Sequence, residues 1–326
     1  MILSFEQIIS ATEGYVKHYI NDGYIRFSRF TEKQEKRYAE SEYNPRNFAS
    51  SGMKITFKTN SLKLRIKGKM TPGGSRTYFS QDVVADGKLV GFLQGRLKGD
   101  IYEYDETYTL PAGEKKVCVF MPPLVCSHIA EIELDDGSTF TPVRHTKTLI
   151  TYGDSITQGY DCVHPQNRYG VALSELFDAE EICKAIGGEK FCPWLVEEKE
   201  DLDPDYITVA YGTNHWAKPG MTRELTYERS REFYTSIRKH YPRAKIFAFM
   251  PIWRNDYKEK PNFKEFSDIA ATIKESIEGL DNITVIEGID MVPHDIKYYS
   301  ADCVHPNDAG HIEFSKSVVK KFKEII

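Results

Sequence analysis

The periodicity of the chain changes once, near Thr148, and that change constrains the fold more than any other feature. Before it, apolar and polar residues alternate in short runs. Ser61-Leu62-Lys63-Leu64-Arg65-Ile66-Lys67 puts Leu62, Leu64 and Ile66 on one face of a strand and Lys63, Arg65 and Lys67 on the other. Further strands are expected over 54–58, 82–85, 88–92, 104–110 and 115–120. Turn signals separate them: Thr71-Pro72-Gly73-Gly74, Asp86-Gly87, Pro111-Ala112-Gly113 and Asp135-Asp136-Gly137. Such spacing predicts an antiparallel β-sandwich, with one helix over 5–18 preceding it. The basic run at 63–67 then reads as the solvated face of a strand rather than a polyanion site.

From Thr148 the rhythm is strand, loop, helix. Apolar runs at 149–152, 182–186, 206–211, 245–250 and 283–287 suit buried parallel strands. Helical patterns fall at 168–177, 223–240, 262–280 and 307–326. In the last of these, Ile312, Val318, Val319, Phe322 and Ile325 share a stripe. Five strands interleaved with helices predict a three-layer α/β domain with a parallel sheet. The chain is 326 residues long, enough for two domains, which we assign to 1–147 and 148–326. Divided at Lys147, the halves carry net charges of +3 and −8.

A total of −5 argues against a general nucleic-acid binder. No run of 18 apolar residues occurs, so no membrane helix is expected. The opening Met1-Ile2-Leu3-Ser4-Phe5-Glu6-Gln7 has no basic segment followed by an apolar one, and the expected location is cytoplasmic. Six cysteines lie scattered without CxxC spacing, which favours reduced thiols over a disulfide framework.

In an open α/β sheet the working residues sit on loops at the carboxyl ends of the strands. The first parallel strand runs into Gly153-Asp154-Ser155, a serine at a strand-to-helix turn. Taken alone, Ser155 could be either a nucleophile or a helix cap. The second strand is followed by Gly187-Gly188, either a plain turn or a loop whose N–H groups approach an oxyanion. Tyr211-Gly212-Thr213-Asn214 follows the third and offers an amide, useful to an oxyanion or to its own loop. Asp302-Cys303-Val304-His305-Pro306 precedes the last helix. An Asp three residues before a His on a turn lets the carboxylate accept from one ring nitrogen while the other takes a serine proton.

In that order, Gly-Asp-Ser at 153–155, Gly188, Gly-Thr-Asn at 212–214 and Asp-x-x-His at 302–305 resemble the SGNH hydrolases, the superfamily also called GDSL-type esterases and lipases. The resemblance covers 148–326. It implies a flavodoxin-like α/β/α fold working without metal or cofactor. It assigns Ser155 as nucleophile, His305 as general base and then acid, and Asp302 as its orienter. The Ser155 and Gly188 N–H groups with the Asn214 side chain would form the oxyanion hole. His215 stands where the family often has Asp, and Cys183-Lys184 where it often has Asn. The two-domain layout is similar to that of family 2 carbohydrate esterases, which carry an N-terminal jelly-roll domain.

Asp161-Cys162-Val163-His164-Pro165 duplicates the segment at 302–306. His305 is preferred as the base because it precedes the last helix, leaving His164 as a substrate contact or an ordinary loop residue. A rival reading gathers Asp161, Cys162, His164, Asp302, Cys303 and His305 around zinc, but it leaves Ser155 and Asn214 unexplained. Trp216 and Trp253 follow the third and fourth strands and could wall the cleft for a sugar ring, or pack in the core. Arg254 offers a guanidinium to a carboxylate. His215 is read as supporting its loop, and His311 as packing within the last helix.

The expected function is a serine esterase cleaving small-acyl, above all acetyl, esters, with a sugar as first choice of alcohol. The partner is then a small-molecule ester, with no nucleic acid and no membrane, and a homo-oligomer is left open. Acyl transfer by the same triad and a non-catalytic carbohydrate-binding protein are the alternatives.

Overall fold

A computed structural model describes residues 1–256 and 262–325. The chain divides into two compact units. One is Met1–Thr146 with Val163–Gln166 and Glu180–Cys183, and the other is Lys147–Cys162, Asn167–Ala179 and Lys184–Ile326. The two short returns to the first unit are absent from the contiguous ranges expected above.

Two antiparallel sheets build the first unit. One orders Thr12–Glu13, Lys54–Thr59, Lys115–Phe120, Tyr78–Ala85 and Lys88–Arg96, with Thr141–Pro142 also paired to Lys54–Thr59. The other orders Lys17–Asn21, Tyr24–Ser28, Val125–Leu134, Lys63–Pro72 and Tyr102–Thr109. Alternate residues of both sheets, among them Ile55, Phe57, Val117, Leu64, Ile66 and Ile132, are buried in a single cluster. Each such side chain contributes about 1.5–3 kcal/mol on leaving water. This is the sandwich that the alternation predicts.

Two details depart from the pattern. Leu62 is exposed, because the strand starts at Lys63 and the Leu62 N–H is taken by the Asp135 carboxylate, in the turn that follows the strand Val125–Leu134. The helix expected over 5–18 stops at Ala11. Gly14 there has φ +88°, and a Cβ on it would lie 2.5 Å from the Gly52 carbonyl oxygen, so the chain turns and continues as the strand Lys17–Asn21. The basic face of Lys63–Pro72 is solvated and paired: Arg65 donates to Asp105, Glu131 and Glu133 at 2.7–3.0 Å.

A five-stranded sheet orders β1 (Lys147–Gly153), β2 (Ala179–Cys183), β3 (Tyr206–Ala210), β4 (Lys245–Phe249) and β5 (Ile283–Ile286) as 2-1-3-4-5; all of it belongs to the second unit except Glu180–Cys183 of β2. Parallel pairing runs from β1 through β3 and β4 to β5. Leu149, Ile150, Ile207, Val209, Ile246 and Ala248 are at most 1% exposed, the signature of strands covered on both faces. Six helices are described with them: α1 (Ser155–Gln158), α2 (Tyr169–Phe177), α3 (Thr213–Ala217), α4 (Arg223–His240), α5 (Ser267–Ile277) and α6 (Asp308–Lys323). The order is the flavodoxin-like one, whose switch point lies between β1 and β3 and gathers the loops that follow β1, β2 and β3 at one edge.

The buried stripe of α6 is Gly310, His311, Phe314, Val318 and Phe322. Of the expected residues, Val318 and Phe322 belong to it, Ile312 and Val319 are half-buried and Ile325 is exposed. The Phe314 ring packs 4.7 Å from that of Tyr169 on α2 and sets the rotation of the helix. Ile326, the last residue of that expected helix, lies outside the described residues. No helix among the described residues is long and apolar enough to cross a membrane.

Candidate active site

The site begins with a turn that only glycine permits. A Cβ on Gly153 would sit 2.2 Å from the Thr157 hydroxyl, so β1 can bend straight into α1. Asp154 caps that helix, its Oδ1 accepting from the Ile156 N–H at 3.0 Å. Ser155 is therefore the first helical residue rather than the cap, and its own N–H has no intrahelical partner. Burial pushes the Asp154 carboxyl up to about 6, against the Ile156 N–H and the charges of His305 and Arg254, which favour the anion.

Ser155 is 5% exposed, and its Oγ lies 2.6 Å from His305 Nε2. His305 Nδ1 lies 2.6 Å from Asp302 Oδ2. The other Asp302 oxygen accepts from the Val304 and His305 backbone N–H groups, each at 3.0 Å. Burial alone would raise the Asp302 carboxyl, but these bonds and the His305 charge outweigh it and hold the group well below the usual carboxylate range. Cys303, with φ +57°, folds the loop back so that His305 faces the serine while its carbonyl accepts from the Ser300 N–H.

The donor loops are clamped to each other. The Gly187 N–H is used by Gln158 Oε1 at 2.7 Å, whereas the Gly188 N–H, at φ +84°, has no hydrogen-bond partner among the described residues. Asn214 gives one Nδ2 hydrogen to the Glu189 carbonyl at 2.9 Å, leaving the second for another acceptor. Tyr211 donates to the Glu189 carboxylate at 2.8 Å, and the Phe191 N–H meets His215 Nε2 at 3.4 Å. His215 thus supports its loop in a place where the family often has Asp. Burial, with Lys190 and Arg229 nearby, pushes its imidazole down to about 3, so it stays neutral.

The remaining expected residues are distributed differently. His164 belongs to the first unit, where its Nδ1 bonds the fully buried Asp82 at 2.9 Å and its ring stands edge-on to Phe92. Trp216 is 3% exposed and packs on Phe263 and Phe266, so it is core and offers almost no surface to a ligand. Trp253 is half-buried and stacks on His294 at 5.1 Å. Arg254 is committed within the protein, to the Asp256 carboxylate and the Thr213 carbonyl. His311 is buried in α6 and bonds the Tyr160 carbonyl at 3.0 Å.

Of the six side chains weighed for zinc, Asp161, Asp302 and His305 offer ligand atoms within 4.8 Å of one another. Both ring nitrogens of His305 are already engaged, by Asp302 and Ser155, so a cation would have to displace one of them. Sequence reasoning missed Tyr160, whose ring stacks on His305 at 5.4 Å and occupies the space that a Cβ on Gly187 would need. It also missed Gln158 and Glu189. The one available signal was position, since all three lie within five residues of Ser155 or Gly188.

Residues 151–311 match the model of the GDSL-like lipase/acylhydrolase family. No curated protein matches the chain in sequence. Among solved structures, the salicylyl-acyltransferase SsfX3 from a tetracycline biosynthetic pathway is similar at TM-score 0.82 and 21% identity, over 96% of this chain and 94% of that one. A GDSL-like lipase from Bacteroides ovatus follows at 0.73 and 19%, over 99% and 96%. An acetyl xylan esterase from the rumen bacterium Butyrivibrio proteoclasticus aligns at 0.62 and 15%, over 95% and 99%. At these identities the likeness establishes the fold: a parallel α/β domain preceded by antiparallel sheets. With the family match over 151–311 and the residues set out above, the chain carries a GDSL-like lipase/acylhydrolase domain and is a serine hydrolase.

Proposed function

We propose that the protein cleaves small-acyl carboxylic esters, acetyl esters of sugars first among them, through an acyl-enzyme on Ser155. The observation that carries this reading is the continuous relay from Asp302 through His305 to Ser155, with both bonds at 2.6 Å. Ser155 Oγ attacks the ester carbonyl as His305 Nε2 takes its proton, and Asp302 stabilises the imidazolium that forms. The tetrahedral oxyanion is held by the Ser155 and Gly188 N–H groups and the free Nδ2 hydrogen of Asn214. Each such donor is commonly worth about 3 kcal/mol in the transition state. Collapse breaks the ester C–O bond, and His305 returns its proton to the leaving alcohol. Water then attacks the acyl-Ser155, gives a proton to His305, and releases the acid with Ser155 restored.

The preference for a small acyl group on a sugar is supported by the likeness to an acetyl xylan esterase and to family 2 carbohydrate esterases. Acyl transfer is the second reading, favoured by the likeness to an acyltransferase at TM-score 0.82. In transfer an alcohol replaces water in the second step, and the triad is used identically. Product analysis with sugar acceptors separates the two: transfer gives a new ester with little free acid, hydrolysis gives free acid whatever acceptor is present.

The test uses p-nitrophenyl acetate, acetylated sugars and a fluorophosphonate probe. Ser155→Ala and His305→Ala should lose at least ~10³-fold in kcat. Ser155→Ala should also lose labelling, while His164→Ala keeps most of the wild-type kcat. A dead His164→Ala beside an active His305→Ala would overturn the assignment. A wild-type protein that neither labels nor cleaves would point to the non-catalytic, carbohydrate-binding reading.

A further inference from the structure

Two short bonds join the loops that follow β2 and β3, and both end on Glu189. Its carboxylate accepts from the Tyr211 hydroxyl at 2.8 Å, and its backbone carbonyl accepts from Asn214 Nδ2 at 2.9 Å. Glu189 and Tyr211 are each 1% exposed. The Tyr211 ring packs against those of Phe191 and Phe233, at 5.1 and 5.7 Å, so its hydroxyl is offered from a fixed place. A third tie between the loops, from the Phe191 N–H to His215 Nε2, is longer at 3.4 Å. Both loops also carry a glycine at positive φ, Gly188 at +84° and Gly212 at +137°. Glycine restrains its own backbone least, so the direction of each loop depends on these ties.

We propose that Glu189 is a positioning residue for the oxyanion hole: its side chain, anchored by Tyr211, holds its carbonyl where that carbonyl aims the Asn214 amide. The inference rests on the acyl-enzyme reaction proposed above, in which Asn214 is an oxyanion donor. The amide is planar, so fixing one Nδ2 hydrogen on the Glu189 carbonyl also fixes the direction of the other. That second hydrogen is the one assigned to the oxyanion. Tyr211 and Asn214 flank the pliable Gly212, and Glu189 is bonded to both, so the turn between them is held from each side. A buried carboxyl group is costly unless it is hydrogen-bonded, and the Tyr211 hydroxyl is one partner that meets this need.

An oxyanion donor acts on charge that develops only in the tetrahedral state. Misaiming it therefore lowers kcat and leaves KM nearly unchanged. Removing such a donor outright commonly costs about 10²–10³-fold. Loosening its support leaves the amide present but poorly directed, and the loss is about 10–100-fold. Because Glu189 acts through Asn214, the loss disappears when Asn214 has no amide to aim.

The experiment measures kcat and KM for p-nitrophenyl acetate, and inhibition by trifluoroacetophenone. Ser155 Oγ adds to the ketone carbon of that inhibitor as His305 takes the proton, and the adduct oxygen enters the oxyanion hole. Rates are expressed per site titrated with the fluorophosphonate probe, so unfolded protein is not counted. The variants are Tyr211→Phe, Glu189→Ala, Glu189→Gln, Asn214→Ala and the double variant Tyr211→Phe/Asn214→Ala. Tyr211→Phe and Glu189→Ala should each lose about 10–100-fold in kcat, keep KM within about threefold, and weaken the inhibitor by the factor lost in kcat/KM. Glu189→Gln, whose amide oxygen still accepts from Tyr211, should recover to within about threefold of wild type. Tyr211→Phe should cost no more than about threefold further in the Asn214→Ala background. Since Tyr211→Phe removes a single oxygen atom, it carries the test even where Glu189→Ala fails to fold. Wild-type kcat per site and wild-type inhibition in Tyr211→Phe, whatever the change in its unfolding midpoint, would mean a merely structural bond and overturn the proposal. A Glu189→Gln protein as slow as Glu189→Ala overturns it, and so does a larger further loss in the Asn214→Ala background. A wild-type protein that neither labels nor cleaves defeats the serine mechanism itself, an outcome seen before any variant is compared.

Discussion

Asp154 and Asp302 are two carboxylates of one domain whose environments drive them in opposite directions. Asp154 is sealed behind Ser155, and burial raises it to about 6 from the 3.8 of an ordinary Asp. The folded protein therefore holds a proton there that the unfolded chain has already released. Its contribution to stability is complete below about pH 4 and declines as pH rises through 6. Asp302 has the opposite sign: it stabilises above the unfolded value and loses that contribution as pH falls into the acid range. Asp154→Asn keeps an oxygen for the Ile156 N–H but has no charge to bury. Its urea-unfolding free energy relative to wild type should therefore rise by about 2 kcal/mol between pH 4.5 and pH 7.5. A difference that stays flat with pH would show that Asp154 is ionised at no cost. These environments were not legible in the sequence. Ser155, Asp302 and His305 could be chosen because residue type and order mark them. That Asp154 would be shut away from water, or that Tyr160 would stack on His305, depends on packing that no local spacing records.

Elements carry the site through their ends. Asn307 caps α6 by accepting from the Gly310 N–H at 3.1 Å, and its amide donates back to the Lys297 and Tyr299 carbonyls at 2.8 and 3.1 Å. One side chain thus ties the start of the helix to the segment that leads into the loop carrying Asp302 and His305. Asn307→Ala should cost about 1–2 kcal/mol in unfolding free energy, the value of a lost cap and its companions, and lower kcat/KM about tenfold. Asn307→Ser separates the two duties, because a hydroxyl restores the cap but cannot reach both carbonyls. Stability should largely return while kcat/KM stays low; recovery of both together would mean that the cap alone positions the loop. The same scale shows what periodicity could and could not supply. α4 was legible to the residue at Arg223–His240, where the buried positions Thr226, Ser230, Phe233, Tyr234 and Ile237 keep the helical spacing. The first helix was read too long because Gly14 ends it through a contact with Gly52, thirty-eight residues away. The stripe on α6 was read with the wrong members because a ring on α2 fixes its rotation.

At the scale of the whole chain, the rhythm changes near Thr148 and the second unit begins at Lys147, while two four-residue segments, Val163–Gln166 and Glu180–Cys183, return to the first. Segments that short have no composition or period of their own. Their importance is energetic. Arg29 is fully buried, and its guanidinium is satisfied by the carbonyls of Ala49 at 2.8 Å, Arg46 at 3.2 Å and Cys183 at 2.7 Å. Glu180 takes the Gly14 N–H at 2.8 Å and Arg144 at 2.9 Å. A fragment ending at residue 146 keeps both sheets of the sandwich and every residue of its main apolar cluster. It nevertheless leaves a buried cation short of an acceptor, at about 1.5–3 kcal/mol, and frees a backbone donor at Gly14 for about 1–3 more. Against the 5–15 kcal/mol that holds a typical domain, that is a large fraction. The fragment 1–146 should accordingly unfold at much lower urea than the corresponding transition of the full chain and bind a hydrophobic dye before unfolding. A sharp transition at the full-chain midpoint would mean that the sandwich is complete at residue 146 and that residues 180–183 merely rest on it.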